Sequence, residues 1–209
     1  CSADNLPSRP TRIRAFVDLQ DVLTGSPGPD QCQALVELDL LSQTGNAGAQ
    51  MMLGDMYSSG KIIKADAQKA IVAYLAAYDS GQRSALLRLG DLYRDGKGIS
   101  PNGERAIFYY THALSDGDTS AAERLGDLYL TGLAEQPADP ATAKTYYETA
   151  IAAGSVNAMM KLGSAFQDGK LGKPGVVQAM KYYEQAEAAG SGSAAARLGD
   201  IYLQGADGV

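Results

Sequence analysis

Any chemistry in this chain has to be assembled from few parts. There is one histidine, His112, two cysteines, Cys1 and Cys32, and a regularly spaced set of acids and bases. Arg88, Arg124, Lys161 and Arg197 each stand just ahead of a recurring Leu-Gly pair. Asp55, Asp91, Asp127 and Asp200 stand just after it, with Ser164 breaking the row. Arg and Asp three residues apart on a helix are neighbours, so local ion pairs worth about 0.2–0.5 kcal/mol each account for the pattern as a solvated charged face. His112 aligns with Ala76, Thr149 and Gln185, an outward and variable position. A metal or catalytic role there needs acid or thiol neighbours at helical spacing, which the sequence does not supply. The segments DGKG and DGDTS fall at turns and lack the Lys-Ser/Thr or terminal Glu of phosphate and calcium loops. No catalytic residue, metal, cofactor or small-molecule substrate is expected, and the chain is read as a non-enzyme.

The cysteines bear on location instead. A cysteine at the first position is what a processed bacterial lipoprotein shows, its sulfur carrying lipid and the proline-containing residues 1–10 serving as a linker. This predicts lipidation at Cys1 and a periplasmic protein anchored to the outer membrane; the other reading is that the numbering merely starts there. Cys32 aligns with Gln68, Glu104, Ala141 and Val177, so a half-exposed lone thiol is expected, with a Cys1–Cys32 disulfide as the alternative.

The elements that position these residues follow from one repeat. Leu-Gly occurs at Leu53-Gly54, Leu89-Gly90, Leu125-Gly126, Leu162-Gly163 and Leu198-Gly199, at spacings of 36, 36, 37 and 36 residues. An alanine lies four before each leucine, an aromatic four after it, and a glycine seven after it: Gly60, Gly96, Gly132, Gly169 and Gly205. A second frame alternates with the first, as in NGERAIFYYTHALSDG, ending at Gly81, Gly117, Gly154 and Gly190; DQCQALVELDLLSQTG, ending at Gly45, is a diverged copy. Residues such as Ala85, Leu89 and Tyr93, at i, i+4 and i+8, share one helix face. Glycine inside a helix costs about 1 kcal/mol against alanine, so its recurrence after leucine implies close approach of a partner helix. The glycines closing the second frame suit left-handed C′ positions. Ser84, Ser120, Asn157 and Ser193 are predicted N-caps. The doublets Tyr109-Tyr110, Tyr146-Tyr147 and Tyr182-Tyr183 are expected to turn one ring inward and leave the other partly exposed.

The organisation predicted is a linker at 1–10, an N-terminal helical cap and diverged repeat at 11–45 with an amphipathic helix over 11–24, and repeats at 46–81, 82–117, 118–154 and 155–190. The first helix of a truncated fifth repeat occupies 191–209. A single helix pair cannot bury its apolar face, so such units stack. Composition agrees with a folded protein: 209 residues, 45% hydrophobic, 20% charged and a net charge of −6, which disfavours nucleic acid as a partner. No run approaches about 18 apolar residues, so no membrane-spanning helix is expected.

The frame A-x-x-x-L-G-x-x-Y-x-x-G, a loop, then A-x-x-Y-Y-x-x-A-x-x-x-G resembles Sel1-like repeats, relatives of the tetratricopeptide repeat. The resemblance covers residues 46–205 and, more weakly, 30–45. It implies an all-α fold, a right-handed α-solenoid of helix–turn–helix repeats, and binding of other proteins through a concave groove. By analogy with tetratricopeptide repeats the residue after the glycine faces that groove. Asp55, Asp91, Asp127 and Asp200 would then form an acidic ladder, beside Arg88, Arg124 and Arg197, suited to a basic or hydrogen-bonding protein. Cysteine-rich Sel1-like proteins associated with β-lactams carry cysteine pairs within their repeats, whereas residues 46–209 hold none. The segment GKLGKPGVVQAMKYYEQA is similar to repeats of the outer-membrane lipoprotein that scaffolds alginate secretion. The function expected is thus a cell-envelope scaffold for an exopolysaccharide synthesis or secretion complex; the alternative is a periplasmic regulatory module that restrains a signalling protein.

Overall fold

The computed structural model describes residues 13–25 and 29–206. Eleven helices make up the described residues: α1 Phe16–Thr24, α2 Pro29–Gln43, α3 Ala47–Ser59, α4 Ala67–Asp79, α5 Ala85–Asp95, α6 Gly103–Ser115, α7 Ser120–Thr131, α8 Pro140–Ala152, α9 Val156–Gln167, α10 Val176–Ala188 and α11 Gly192–Ala206. Short loops join α3 to α4, α7 to α8 and α9 to α10, and these pairs pack together as the two alternating frames require. The chain divides into two compact units, residues 1–109 and 110–209.

In the first unit α1 packs on α2, α2 on α3, α3 on α4 and α4 on α5. Its core is Leu19, Leu23, Ala34, Leu38, Ala49, Leu53 and Met56. In the second unit α7 packs on α8, α8 on α9, α9 on α10 and α10 on α11. Its cores centre on Tyr147 with Leu162 and on Tyr183 with Leu198. We call the first helix of each pair (α3, α5, α7, α9, α11) the A helix and its successor the B helix.

Each pair is closed by the same backbone device. The A helix ends at Gly60, Gly96, Gly132 or Gly169, all with φ between 65° and 70°. The chain then returns so that the N–H of Asp66, Asn102, Asp139 or Gly175 donates to the carbonyl of Tyr57, Tyr93, Tyr129 or Phe166 at 2.9, 2.8, 2.7 and 2.9 Å. Asp66, Asn102 and Asp139 also cap their B helices through side-chain oxygens. In the fifth copy α11 runs on through Gly205, so that glycine does not end the helix as its counterparts do.

Ser84 holds the N-cap position of α5 as predicted, whereas the other A-helix caps lie elsewhere than the sequence predicts. Asn46 Oδ1, Ser155 Oγ and Ser191 Oγ accept from the N–H of Ala49, Ala158 and Ala194. Capping therefore comes from three residues ahead of the alanine, the reach a side-chain acceptor has to N3. Ser84 makes no side-chain cap bond, Ser120 is the first helical residue of α7, Ser193 lies inside α11, and Asn157 bonds to Glu123.

The N-terminal helix starts at Phe16, later than the expected 11–24 segment; residues 1–12 lie outside the described residues. Arg14 accounts for the shift. Its backbone N–H and guanidinium all turn to Glu37 of α2, at 2.9, 3.0 and 3.2 Å. Glu37 is buried; burial pushes its carboxyl up, but the bonds from Arg14 outweigh this and hold it below its usual range. A depressed carboxylate contributes stability that is present above its unfolded pKa of about 4.3 and lost as the pH falls through the folded value. Arg14→Met removes the two guanidinium bonds and the opposing charge, leaving the backbone N–H to face a buried carboxylate. The expected cost near pH 7 is about 2–3 kcal/mol, below that of a fully buried pair because Arg14 is partly exposed. That cost should shrink as the pH falls through 4, measured by urea denaturation of wild type and variant side by side. A pH-independent cost would show that Glu37 is not charged against Arg14.

A candidate protein-binding face on the A helices

The face is built on the Leu-Gly glycines. A Cβ at Gly54 would lie 2.4 Å from Tyr74 Cε1, at Gly126 2.7 Å from Tyr147 Cδ1, and at Gly163 2.7 Å from Tyr183 Cε1. In these three pairs the ring of the B helix's inward tyrosine thus lies against the A helix where a side chain would be. Tyr110, Tyr147 and Tyr183, the second member of each doublet, are buried, as is Tyr74. The first members stack on the A-helix aromatic instead: Tyr109 on Tyr93 at 5.6 Å, Tyr146 on Tyr129 at 5.5 Å and Tyr182 on Phe166 at 5.7 Å. The doublets do what their spacing implies.

The inward tyrosine passes beneath the A helix and its hydroxyl emerges at the aspartate after the glycine. Tyr74 donates to Asp55 Oδ1 and Tyr147 to Asp127 Oδ1, both at 2.8 Å. Burial, then the neighbouring carboxylate, drives both phenols far above their ordinary range, so they remain donors. Where Ser164 interrupts the row, Tyr183 donates to Gln167 Oε1 at 2.9 Å.

Arg88 does not make the local ion pair expected. Arg88 Nε reaches Asp55 of the preceding repeat at 3.4 Å, and Lys161 Nζ reaches Asp127 of the preceding repeat at 2.6 Å. Side chains on an A helix point back toward its N-terminus, while the next A helix lies alongside at one repeat's remove. Lys161 also binds Glu123 at 2.7 Å, and Glu123 accepts from Ser155 and Asn157 as well. Burial raises the Glu123 carboxyl, and these donors, Lys161 foremost, bring it below its usual range. Asp91 pairs with Arg94 at 3.3 Å. Arg124 is half-buried on α7, and Arg197 and Asp200 are exposed on α11. His112 is exposed in the last turn of α6.

Asp55, Asp91 and Asp127 therefore each carry a cation partner. In the first unit a depression of ≈ 430 Å³ carries Asp55, Asp91 and Asp95 against Lys61, Arg88, Arg94 and Lys97. In the second unit a depression of ≈ 310 Å³ carries Asp127, Tyr147, Lys161, Ser164 and Lys170. These residues occupy the same repeat positions as Asp55, Tyr74, Arg88, Asp91 and Lys97. Lys61, Arg94, Asp95 and Lys97 were missed from the sequence; the recurrence of Lys97 and Lys170 directly after Gly96 and Gly169 was the available signal. The first depression continues, through Asp55, Ser59 and Lys61, into an apolar one lined by Phe16, Met51, Met52, Met56 and Ile62. Among the described residues no helix is long and apolar enough to cross a membrane. Cys32 is disulfide-bonded, not the lone thiol expected; its neighbours in sequence belong to the diverged repeat, so no copy of the frame could reveal it.

The profile of the Sel1 repeat matches residues 47–81, 83–118, 119–155, 156–191 and 192–209. The chain belongs to the Sel1 repeat family. As a member it is an α-solenoid repeat protein of a class that mediates protein–protein interaction. It is similar to a Sel1 repeat protein from Oxalobacter formigenes, with 31% identity and a TM-score of 0.58 over 75% of this chain and 64% of that one. It is also similar to a protective antigen present in uropathogenic Escherichia coli strains that displays an SLR fold, with 25% identity and a TM-score of 0.70 over 91% of this chain and 41% of that one. The Sel1 repeat chain thus spans less than two thirds of either. An immunity protein from Pseudomonas aeruginosa, 21% identical with a TM-score of 0.50 over 92% of this chain and 71% of that one, shares the fold. No curated protein matches it significantly.

Proposed function

We propose that this Sel1 repeat chain is a non-enzymatic scaffold of the bacterial cell envelope that engages a protein partner along its A-helix face. The observation that carries the reading is the recurrence of one polar depression at matching repeat positions in both units. Each is floored by a tyrosine held on glycine and rimmed by an aspartate–cation pair. Such a rim exchanges hydrogen bonds and charges with a partner of mixed charge, and electrostatic matching of this kind sets specificity more than raw affinity. The adjoining Met51, Met52 and Met56 supply adaptable apolar contact.

Membership of an exopolysaccharide complex of the alginate kind is proposed from the likeness of residues 169–186 to repeats of the alginate-secretion lipoprotein. Periplasmic location draws support from Cys32, because disulfides persist in oxidising compartments. The outer-membrane anchor at Cys1, which lies outside the described residues, requires a sulfur that is in no bridge. The non-reduced intact mass of the mature protein tests the anchor directly.

The binding face is tested by a photo-crosslinking residue at Ser59 or Lys97, both exposed beside the first depression, and at Glu184, exposed on α10. In the living bacterium, discrete protein adducts are expected at the first two positions and not at Glu184. Adducts at Glu184 alone, or at none of the three, would overturn the reading.

A further inference from the structure

One helix pair departs from the doublet rule. Ala73 occupies the position of Tyr109, Tyr146 and Tyr182, so the ring that stacks on the A-helix aromatic in three later pairs is missing from the α3–α4 pair. A groove of ≈ 790 Å³ opens there between α2, α3 and α4, lined among others by Tyr57, Ala73, Leu53, Val72, Gln50 and Asp39. It lies on a different face of α3 from Asp55 and Ser58, since Gln50, Leu53 and Tyr57 follow helical spacing on their own stripe.

Two features of the groove specify what fills it. Tyr57 offers the ring face that Tyr93, Tyr129 and Phe166 offer to a stacked tyrosine. Lys69 lies over Tyr57 at 5.3 Å, but it does not close the slot: Arg105, its counterpart, lies over Tyr93 at 5.2 Å while Tyr109 remains stacked there. In the α9–α10 pair the hydroxyl of Tyr182 donates to Glu148 of the preceding B helix at 3.3 Å. The residue that stands to Ala73 as Glu148 stands to Tyr182 is Asp39, which lines the groove. Gln50 replaces the apolar residues Leu86, Ala122, Met159 and Ala195 of the other copies. It is 8% exposed, and its Nε2 donates to the Ser42 carbonyl at 3.1 Å. That bond fixes the amide orientation and leaves Oε1 buried with no hydrogen-bond partner. That oxygen has almost no surface open to the groove, so Gln50 forms part of its wall and is not an acceptor for an incoming group.

We propose that this groove receives a tyrosine side chain of a partner protein, its ring on Tyr57 and its hydroxyl directed to Asp39. The groove is a second docking site, independent of the A-helix face. The apolar lining takes the ring, and the Asp39 carboxylate selects a ring that carries a donor.

N-acetyl-L-tyrosinamide is the probe, titrated against the 15N-labelled full chain and followed by amide shifts, with N-acetyl-L-phenylalaninamide as the ring without a donor. Saturable shifts confined to α2, α3 and α4 are expected, with the tyrosine probe bound about fivefold more tightly than the phenylalanine one. Ala73→Tyr supplies the ring from within; it should abolish binding of the probe and raise the Tm by a few degrees. Asp39→Asn should erase most of the preference for tyrosine without altering the fold, and it keeps the proposal testable should Ala73→Tyr not fold. Equal binding of the two probes, unchanged binding by Ala73→Tyr, or shifts scattered over the chain would each overturn the proposal.

Discussion

Replacing Gly126 by valine should cost about 3–5 kcal/mol in the denaturation of the second unit, among the largest effects any single substitution in this chain would have. The Cβ alone would sit 2.7 Å from two atoms of the Tyr147 ring, inside the distance that carbon atoms tolerate, and two further methyl groups would follow it. Overpacking a well-filled site costs about 1–3 kcal/mol and more when the neighbour cannot move. Tyr147 cannot: it is 1% exposed, and its hydroxyl is bonded to Asp127. The helix propensity gained on leaving glycine returns only a few tenths to about 1 kcal/mol, so the clash dominates. The same change at Gly199, where a Cβ would meet nothing within 4 Å, should be neutral or mildly stabilising. Chemical denaturation followed by circular dichroism compares the two; equal effects at Gly126 and Gly199 would refute the slot.

Tyr147→Ala should be comparably severe, at about 3–5 kcal/mol, because it empties the slot from the other side. Tyr147→Phe separates the two contributions of the residue. The ring stays on Gly126, while the bond to Asp127 is lost; Asp127 keeps Lys161 and access to water, so the cost should be about 1 kcal/mol. Packing on glycine, rather than the hydrogen bond, therefore carries most of the stability. A phenylalanine variant as unstable as the alanine one would reverse that order and place the weight on the Tyr147–Asp127 bond.

Much of this was legible in the sequence because a repeat prints the same constraint several times. The Leu-Gly pair announces a close helix approach, and the tyrosine doublets announce one inward ring and one outward ring. The depressions were less legible. Arg88 and Asp91 are three apart in sequence, so a helical reading pairs them, whereas Arg88 reaches back to Asp55. That partner is 33 residues away, and only the packing of successive A helices brings the two together. The same error made the aspartates look like an acidic ladder: counting them without Lys61, Arg94 and Lys97, which come from loops and helix ends, left out the balancing charge. Two capping residues, Asn157 and Ser193, were placed two positions late because α9 and α11 start earlier than their apolar stripe. Gln50 and Ala73 were visible as departures from the frame, yet a departure has no meaning until the structure shows what the other copies put in its place.

The central claim is that the A-helix face around the first depression binds a protein partner through matched charge. Once a partner has been captured by crosslinking from Ser59 or Lys97, its affinity should be measured for wild type and for Arg94→Glu/Lys97→Glu. The exposed carboxylate Glu184, changed to lysine, provides the control. The double reversal should weaken binding at least about tenfold, with the loss diminishing as salt is raised, while Glu184→Lys leaves affinity unchanged. Unaltered affinity for Arg94→Glu/Lys97→Glu, in a protein shown to be folded, would contradict it.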